Sequence, residues 1–367
     1  MKVFVAIGTR PEAIKLAPVV AALRPKADVV VATTGQHPRL AVGALADFGI
    51  VPDLALPPIE GRPSLAQLTA SMTAVLDLAL VGQKPDWVVV QGDTNSAFAA
   101  GLAAYYRSIP VAHVEAGLRT GNLAMPFPEE GNRQMLARIA RWHFAPTVRA
   151  AANLVSEGVD RTRVVMSGNT VVDAVALARA GRREEDWKAL DAALALPDGP
   201  LVLVSCHRRE NRGQTLLDIC SAIRRLAARY PLHRLVLPMH PEPDVRTVFQ
   251  VELAGVDNVF LREPFGYVET LHALDRCDLV LTDSGGLQEE VATYRKPVVV
   301  MRDQTERPEG IEAGFASLAG RDPDRIVSEV SGWLDDPQRR ARLAGVANPY
   351  GDGSASRRIA ETLLVSD

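Results

Sequence analysis

From Leu279 to Arg307 the chain reads LVLTDSGGLQEEVATYRKPVVVMRDQTER. Leu279–Leu281 is a short apolar run of strand type, and Leu287–Tyr294 reads as a helix. Lys296-Pro297 ends that helix, and Val298–Met301 is the next buried strand. Strand, Gly-rich turn, helix and strand in this order make a parallel βαβ unit. The turn Asp283-Ser284-Gly285-Gly286 lies at the carboxyl end of a strand and opens a helix. Backbone N–H groups at such a turn point out along the positive end of the helix dipole, where a phosphate binds. Gly285 and Gly286 let the backbone approach it with no side chain in the way. Glu290, one turn into the helix, stands where a carboxylate takes hydrogen bonds from sugar hydroxyls. An ordinary strand-to-helix turn with Asp283 or Ser284 as N-cap accounts for the same residues. On this stretch alone both readings stand.

The alternation continues outward on both sides. Leu201–Ser205 is a strand, and its exit loop carries His207-Arg208-Arg209 before the helix Thr215–Tyr230. That cluster suits a phosphate; a simple basic loop is the alternative. Arg234–Pro238 ends in Met239-His240-Pro241, and Asn258–Leu261 precedes Phe265 and a helix reaching Arg276. At the other end of the chain, Lys2–Ile7 leads into Gly8-Thr9-Arg10-Pro11-Glu12. Pro11 suits the first turn of a helix. Arg10 and Lys15 can both face the top of the sheet, where two cations invite an anion, or they are a solvated helix start. Asp28–Thr33 precedes Gly35-Gln36-His37-Pro38, and Ser64–Leu80 reads as a long amphipathic helix. Asp86–Gln91 ends in Gly92-Asp93-Thr94, and Val111–Val114 ends in Glu115. Ligands of parallel sheets bind beyond the carboxyl ends of strands, so Asp93 and Glu115 point toward that crevice. Glu129 and Glu130 join them, ahead of a helix expected over Gln134–Ala140. Three such carboxylates from one domain can converge on one cleft, although capping or solvation would satisfy any one of them.

Length and composition set the frame. The chain has 367 residues, enough for two domains, with 47% hydrophobic and 23% charged residues. A net charge of −3 gives no bulk attraction to nucleic acid or an anionic membrane. Cys206, Cys220 and Cys277 are too scattered for a disulfide framework or a zinc site. With a strand beginning at residue 2 and no run read as long enough to span a bilayer, a soluble cytoplasmic protein is expected. The crossing between domains is expected near residue 168. That gives a first domain over 1–167, joined by a last helix within 348–367, and a second over 168–347.

Taken together, the motifs carry a family resemblance. Gly8-Thr9-Arg10-Pro11-Glu12, Gly92-Asp93-Thr94, His113–Arg119, Pro128-Glu129-Glu130, His207-Arg208-Arg209-Glu210, Thr282–Gly286 and Thr305–Glu309 occur in order. The set closely resembles bacterial non-hydrolysing UDP-N-acetylglucosamine 2-epimerases, from residue 1 to the Asn348–Gly353 turn. The resemblance implies an α/β GT-B fold: two Rossmann-like domains, parallel sheets facing across a cleft, and a last helix returning to the first domain. It implies reversible conversion of UDP-N-acetylglucosamine to UDP-N-acetylmannosamine with no NAD or other cofactor and no metal. Asp93, Glu115 and Glu129 resemble the acid/base set. His207, placed with the catalytic groups, and Arg10 resemble diphosphate ligands, with Ser284, Gly285 and Gly286 supplying backbone N–H groups. Glu290 resembles the ribose ligand, and Lys15, Arg208 and Arg307 complete the polar lining. Phe265 and Thr270 stand where uracil contacts are expected. Gln36, Arg208 and His240 match the pocket in which many relatives bind a second UDP-N-acetylglucosamine as activator. Arg39 and Ser71 stand where a glutamine and an arginine are usual in activated members, so weak or absent activation is expected. A homodimer and a role in cell-surface polysaccharide biosynthesis are further expectations.

Other readings use the same residues. A GT-B glycosyltransferase would share the nucleotide wall but leave the three carboxylates unexplained. A hydrolysing epimerase would release UDP and free N-acetylmannosamine, and a nucleotide-sugar sensor would bind without turnover. An NAD oxidoreductase is disfavoured, because no G-x-G-x-x-G follows the first strand.

Overall fold

The strands are apolar over nearly their whole length, the pattern of sheets covered by helices on both faces. In β1 (Lys2–Ile7), Val3, Phe4, Val5 and Ile7 are fully buried. Each such side chain contributes about 1.5–3 kcal/mol by leaving water. The structure, a computed structural model, describes every residue except Glu60, Arg62 and Asp367, and all side chains of the remainder but that of Arg209. The chain forms two units, Met1–Ala180 with Tyr350–Asp367, and Gly181–Pro349.

In the first unit β1 is joined by β2 (Asp28–Thr33), β3 (Leu54–Ala55), β4 (Trp87–Gln91), β5 (Val111–Val114), β6 (Trp142–Ala145) and β7 (Val164–Met166). All pair in parallel, in the order β3-β2-β1-β4-β5-β6-β7. Phe4, Val88, Val90, Met72, Leu76 and Leu136 belong to one core cluster on this sheet. The second unit repeats the plan with β8 (Leu201–Ser205), β9 (Arg234–Pro238), β10 (Val259–Arg262), β11 (Leu279–Thr282), β12 (Val298–Val300) and β13 (Ala316–Leu318). Its order is β10-β9-β8-β11-β12-β13, again all parallel.

The units divide at Ala180/Gly181, twelve residues after the crossing expected near residue 168, and at Pro349/Tyr350, beside the expected residue 348. The difference at the first crossing is one helix, Thr170–Ala180, whose Asp173 accepts from the backbone N–H groups of Ala355 (3.2 Å) and Ser356 (2.9 Å). That bond ties it to the closing helix Ala355–Leu364, and both belong to the first unit. Glu129 and Glu130 are not ahead of their helix but form its first turn, Glu129–Ile139, where acidic residues complement the dipole. The helix Leu65–Gln83 also departs from expectation. It is long and apolar enough to cross a membrane by length and composition, and only 17% of its most apolar window is buried. Asp77 is its single charged residue. Met72, Leu76 and Leu80 face the core, while Leu65, Leu78 and Val81 are exposed.

Candidate active site

In a doubly wound sheet the ligand crevice opens where the strand order reverses. The flanking strands are β1 and β4 in the first unit, β8 and β11 in the second. Every sequence-derived site residue can be placed against these two reversals.

In the first unit, β1 runs into Gly8 and the helix Arg10–Leu23. Only glycine fits at position 8, because an added Cβ would lie 1.8 Å from Ser96 Oγ. Thr34 and Ser96 share a hydrogen bond of 2.7 Å between their hydroxyls. Gln36 Oε1 accepts from the Ser96 N–H (3.2 Å) and hydroxyl (2.6 Å). The loops after β1, β2 and β4 are thus bound to one another. Beside them lies the fully buried carboxylate of Glu12. It accepts from the N–H groups of Gly8 (2.9 Å) and Thr9 (2.7 Å) and from the hydroxyls of Thr9 (2.8 Å) and Thr94 (2.6 Å). Burial raises the Glu12 pKa to about 7, against the pull of these four donors.

Lys15, expected at the sheet top beside Arg10, is buried and forms an ion pair with Glu115. Arg10 is half-buried at the first position of the same helix. Glu115 has a φ of 62°, a left-handed conformation that non-glycine residues seldom adopt and that clusters at functional sites. Asp93 forms an ion pair with Arg133, and its carbonyl accepts from the Asn132 amide at 2.9 Å. Since Gln91 pairs with Val114, Asp93 and Glu115 leave neighbouring strand ends. Arg133 also lies 3.4 Å from the buried Glu130, which accepts from the N–H groups of Thr120 (3.1 Å) and Gly121 (3.3 Å) and from Gln134 (2.9 Å). Burial acts to raise the Glu130 pKa, but these donors and Arg133 bring it below the usual value. Glu129 is half-buried in the same first turn. Beneath the loops, His113 Nε2 donates to the Gly92 carbonyl at 2.7 Å, and burial lowers its pKa to about 3, so the ring is neutral.

In the second unit, Ser284 is the N-cap of the helix Gly285–Thr293, accepting from the Leu287 N–H at 3.5 Å. Asp283, the alternative cap, instead reaches across to the loop after β8. Its buried carboxylate accepts from the N–H groups of His207 (3.0 Å) and Arg208 (2.9 Å) and from the Asn211 amide (2.9 Å). His207 Nδ1 lies 3.0 Å from it as well. Burial acts to raise the Asp283 pKa, but the hydrogen bond and charge of His207, with the backbone donors, hold it at about 2. Arg208 Nε donates to the Asp283 carbonyl at 3.0 Å. Around the N-terminus of the helix stand Arg302 and Arg307. Arg302 bonds Glu306 at 2.9 Å, and Arg307 bonds Glu289 at 2.6 Å and also pairs with Glu306. Burial works to raise Glu306, and the charges of Arg307 and Arg302 keep it far below the usual carboxylate range. A Cβ on Gly285 would come within 2.6 Å of Arg307 Nη1, whereas one on Gly286 would meet nothing within 4 Å. Glu290 and Phe265 are buried, and the Thr270 hydroxyl donates to the Gly266 carbonyl at 2.7 Å. The rings of His207 and His240 stack with centroids 6.4 Å apart.

The expected residues therefore form two groups, one per unit. Asp93, Glu115, Glu129, Arg10, Lys15 and Gln36 belong to the first, and His207, Arg208, His240, Phe265, Thr270, Ser284, Gly285, Gly286, Glu290 and Arg307 to the second. Sequence reasoning gave no role to Glu12, Arg133 or Glu306, named Glu130 only among the loop carboxylates, and took Asp283 only as a cap. Thr9-x-x-Glu12 is a capping-box pattern, which was the available signal for Glu12. A groove of about 720 Å³ lies elsewhere on the first unit, lined by Leu65, Phe98, Leu102, Tyr106, Phe127 and their neighbours. Its lining includes Asn132, whose amide donates to the Asp93 carbonyl and to Asn95.

A family model described as UDP-N-acetylglucosamine 2-epimerase matches residues 21–364. The UDP-N-acetylglucosamine 2-epimerase of Bacillus subtilis (strain 168) is 42% identical over 366 residues, 99% of this chain and 95% of that protein. The crystal structure of UDP-GlcNAc 2-epimerase from Neisseria meningitidis bound to UDP-GlcNAc is similar with a TM-score of 0.95, at 40% identity and over 100% of both chains. That of the Methanocaldococcus jannaschii UDP-GlcNAc 2-epimerase, in complex with UDP-GlcNAc and UDP, gives a TM-score of 0.84 at 32% identity, again over 100% of both chains.

Proposed function

This chain belongs to the UDP-N-acetylglucosamine 2-epimerase family, and on that footing we propose that it interconverts UDP-N-acetylglucosamine and UDP-N-acetylmannosamine without net hydrolysis. Its fold is of the GT-B class, with two Rossmann-like parallel sheets. The C2 hydrogen of the sugar is not beside a carbonyl, so simple deprotonation is too costly. Elimination removes the difficulty. A carboxylate takes the C2 proton as the C1–O bond to UDP breaks, leaving 2-acetamidoglucal and UDP. A proton then arrives on the other face of C2, and the diphosphate oxygen closes onto C1 again.

This chemistry needs carboxylates as acid and base, and a grip that keeps UDP in place once its bond to C1 has broken. Asp93, Glu115 and Glu129 take the first task. The observation that carries the assignment is that Asp93 and Glu115 leave adjacent strand ends, Asp93 from β4 at the reversal and Glu115 from β5 beside it, each ion-paired to a buried cation of its own unit. His207, Arg10 and the N–H groups of Ser284, Gly285 and Gly286 take the second, with Arg208, Arg307 and Lys15 in the lining. His207 supports this role, because Nδ1 is engaged by Asp283 and Nε2 lies on the opposite edge of the ring. Glu290 holds the ribose, with Phe265 and Thr270 near the uracil. The unit Met1–Ala180 with Tyr350–Asp367 does the chemistry and Gly181–Pro349 holds UDP, the roles expected for 1–167 with its closing helix and for 168–347.

The enzyme works in the cytoplasm as a homodimer. The exposed Leu78 and Val81, three residues apart on one side of the helix Leu65–Gln83, support burial of that face by a second copy rather than by lipid. Proton NMR in D2O with UDP-N-acetylglucosamine tests the reaction. Both UDP-sugars should accumulate, with solvent deuterium at C2. Product that retains the original C2 hydrogen excludes elimination, and free N-acetylmannosamine as the main product excludes the non-hydrolysing reading.

A further inference from the structure

We infer that Glu12 is a positioning residue that locks the Arg10 loop to the Asp93 loop across the strand reversal of the first unit. The inference rests on the reaction proposed above and adds a residue to it. Glu12 occupies the third position of the helix Arg10–Leu23 and is 0% exposed, so it does not touch a substrate. One oxygen, Oε2, takes all three bonds from Gly8 and Thr9, which fixes the turn leading to Arg10. The other, Oε1, takes the Thr94 hydroxyl from a loop 82 residues away.

The direction of that long-range bond is set by the fold. Thr94 caps the helix Asn95–Tyr106 and accepts from the Ala97 N–H at 3.0 Å. With its oxygen engaged by the cap, its proton points to Glu12. The relay therefore runs from Ala97 N–H to the Thr94 hydroxyl to Glu12, and Asp93 is the residue next to Thr94. Placing Asp93 against the sugar and Arg10 against the diphosphate thus depends on one carboxylate, none of whose four donors is charged. The raised pKa of this group fits a side chain kept for its geometry in spite of the cost of burying its charge.

Steady-state kinetics of wild type, Glu12→Gln, Thr94→Val and Thr94→Ser test the inference, with folded fraction counted by thermal melting and by UDP-binding stoichiometry. Thr94→Val removes the bridge and should lower kcat per folded molecule by ~10-fold or more, since a displacement of about 1 Å costs up to ~10²-fold. Thr94→Ser keeps the hydroxyl and should stay within ~2-fold of wild type, on the same scale. Glu12→Gln preserves shape but turns an amide N–H toward a hydroxyl that already accepts, so an intermediate loss with raised KM is expected. A purely structural role would lower the melting temperature and leave kcat and KM of the folded molecules unchanged, and that outcome overturns the inference. Equal losses in Thr94→Val and Thr94→Ser overturn it too. If wild type itself fails to convert the sugar, the proposed function falls first, and the variants are not needed to show it.

Discussion

Glu12 in the first unit and Asp283 in the second have the same topological job. Each is a buried carboxylate that ties together the two loops flanking a strand reversal. Their environments differ. Glu12 has two backbone amides and two hydroxyls, and burial takes its pKa up to about 7. Asp283 has backbone amides, the Asn211 amide and the His207 imidazole, and its pKa goes down to about 2. At Glu12 the donors only partly offset the loss of hydration, whereas at Asp283 the His207 hydrogen bond and the backbone donors more than offset it. The contrast extends outward. In the first unit, Glu115 pairs with Lys15, and Arg133 bridges Asp93 and Glu130. In the second, Arg302, Arg307, Glu289 and Glu306 form a continuous ionic cluster around a helix N-terminus. A carboxylate held by one buried cation suits a group that must exchange a proton. A cluster suits a site that must hold an anion.

If that contrast is functional, variants in the two units should fail in different ways. Asp93→Asn, Glu115→Gln and Glu129→Gln should each lower turnover by at least ~10²-fold, the lower end for acid–base catalysis, while calorimetry finds UDP binding intact. Glu290→Ala should do the reverse, with UDP affinity falling by about tenfold, the weight of one hydrogen bond to a charged group, and chemistry slowing less. A first-unit variant with near-native turnover would reduce that carboxylate to an ion-pair partner. Unchanged UDP affinity in Glu290→Ala would remove the ribose role.

A smaller effect should appear in stability against pH. Glu12 binds its proton more tightly folded than unfolded, so its contribution favours folding below pH 4.5 and is lost as pH rises through about 7. Asp283 is the mirror case: its contribution is present above pH 3.8 and is lost as pH falls through about 2. Urea unfolding across this range should therefore show a slope of each sign. Glu12→Gln should flatten the neutral limb only, and Asp283→Asn the acid limb only. A single variant that flattens both would mean the two carboxylates are not independent.

The smallest expected effect is none at all. Gln36 belongs to the first unit and Arg208 and His240 to the second, and Arg39 and Ser71, where the resemblance leads one to expect a glutamine and an arginine, are exposed. Loss of an arginine removes a planar donor suited to a diphosphate. Reverse turnover from pure UDP-N-acetylmannosamine should start without a lag. Strong dependence on a trace of UDP-N-acetylglucosamine would show that an activator site survives.

The strands were legible because burial on both faces leaves an apolar run with little else to be, and β1, β2, β5, β8 and β9 match their expected bounds. Two short edge strands, Leu54–Ala55 and Ala316–Leu318, were not seen, since two or three residues carry no period. The helices Pro38–Ala46, Val148–Ser156 and Pro243–Glu252 were also passed over. Strand-end placement alone brought Asp93 and Glu115 to notice. Their partners did not follow, because Arg133 is 40 residues from Asp93, and Lys15 is 100 from Glu115. Such pairs exist only once the sheet has brought the loops together. Asp283 illustrates the same limit: locally it has the composition of a cap, and its acceptor role is fixed by a loop 75 residues earlier.

The closing helix Ala355–Leu364 has a consequence for how the molecule is made. Asp173 binds the start of that helix, the Ser167 carbonyl accepts from Arg358 at 2.9 Å, and Trp142 donates to Ser366 at 3.0 Å. The first unit is therefore written in two pieces, with the whole of Gly181–Pro349 between them. During synthesis the second unit has all its strands as soon as Pro349 leaves the ribosome. The first, although begun earlier, still lacks the segment that packs against Arg10–Leu23 and Thr170–Ala180. Domains fold as units as they emerge, so the later-coded half can reach its native state first, and the half that bears Asp93 and Glu115 is completed last.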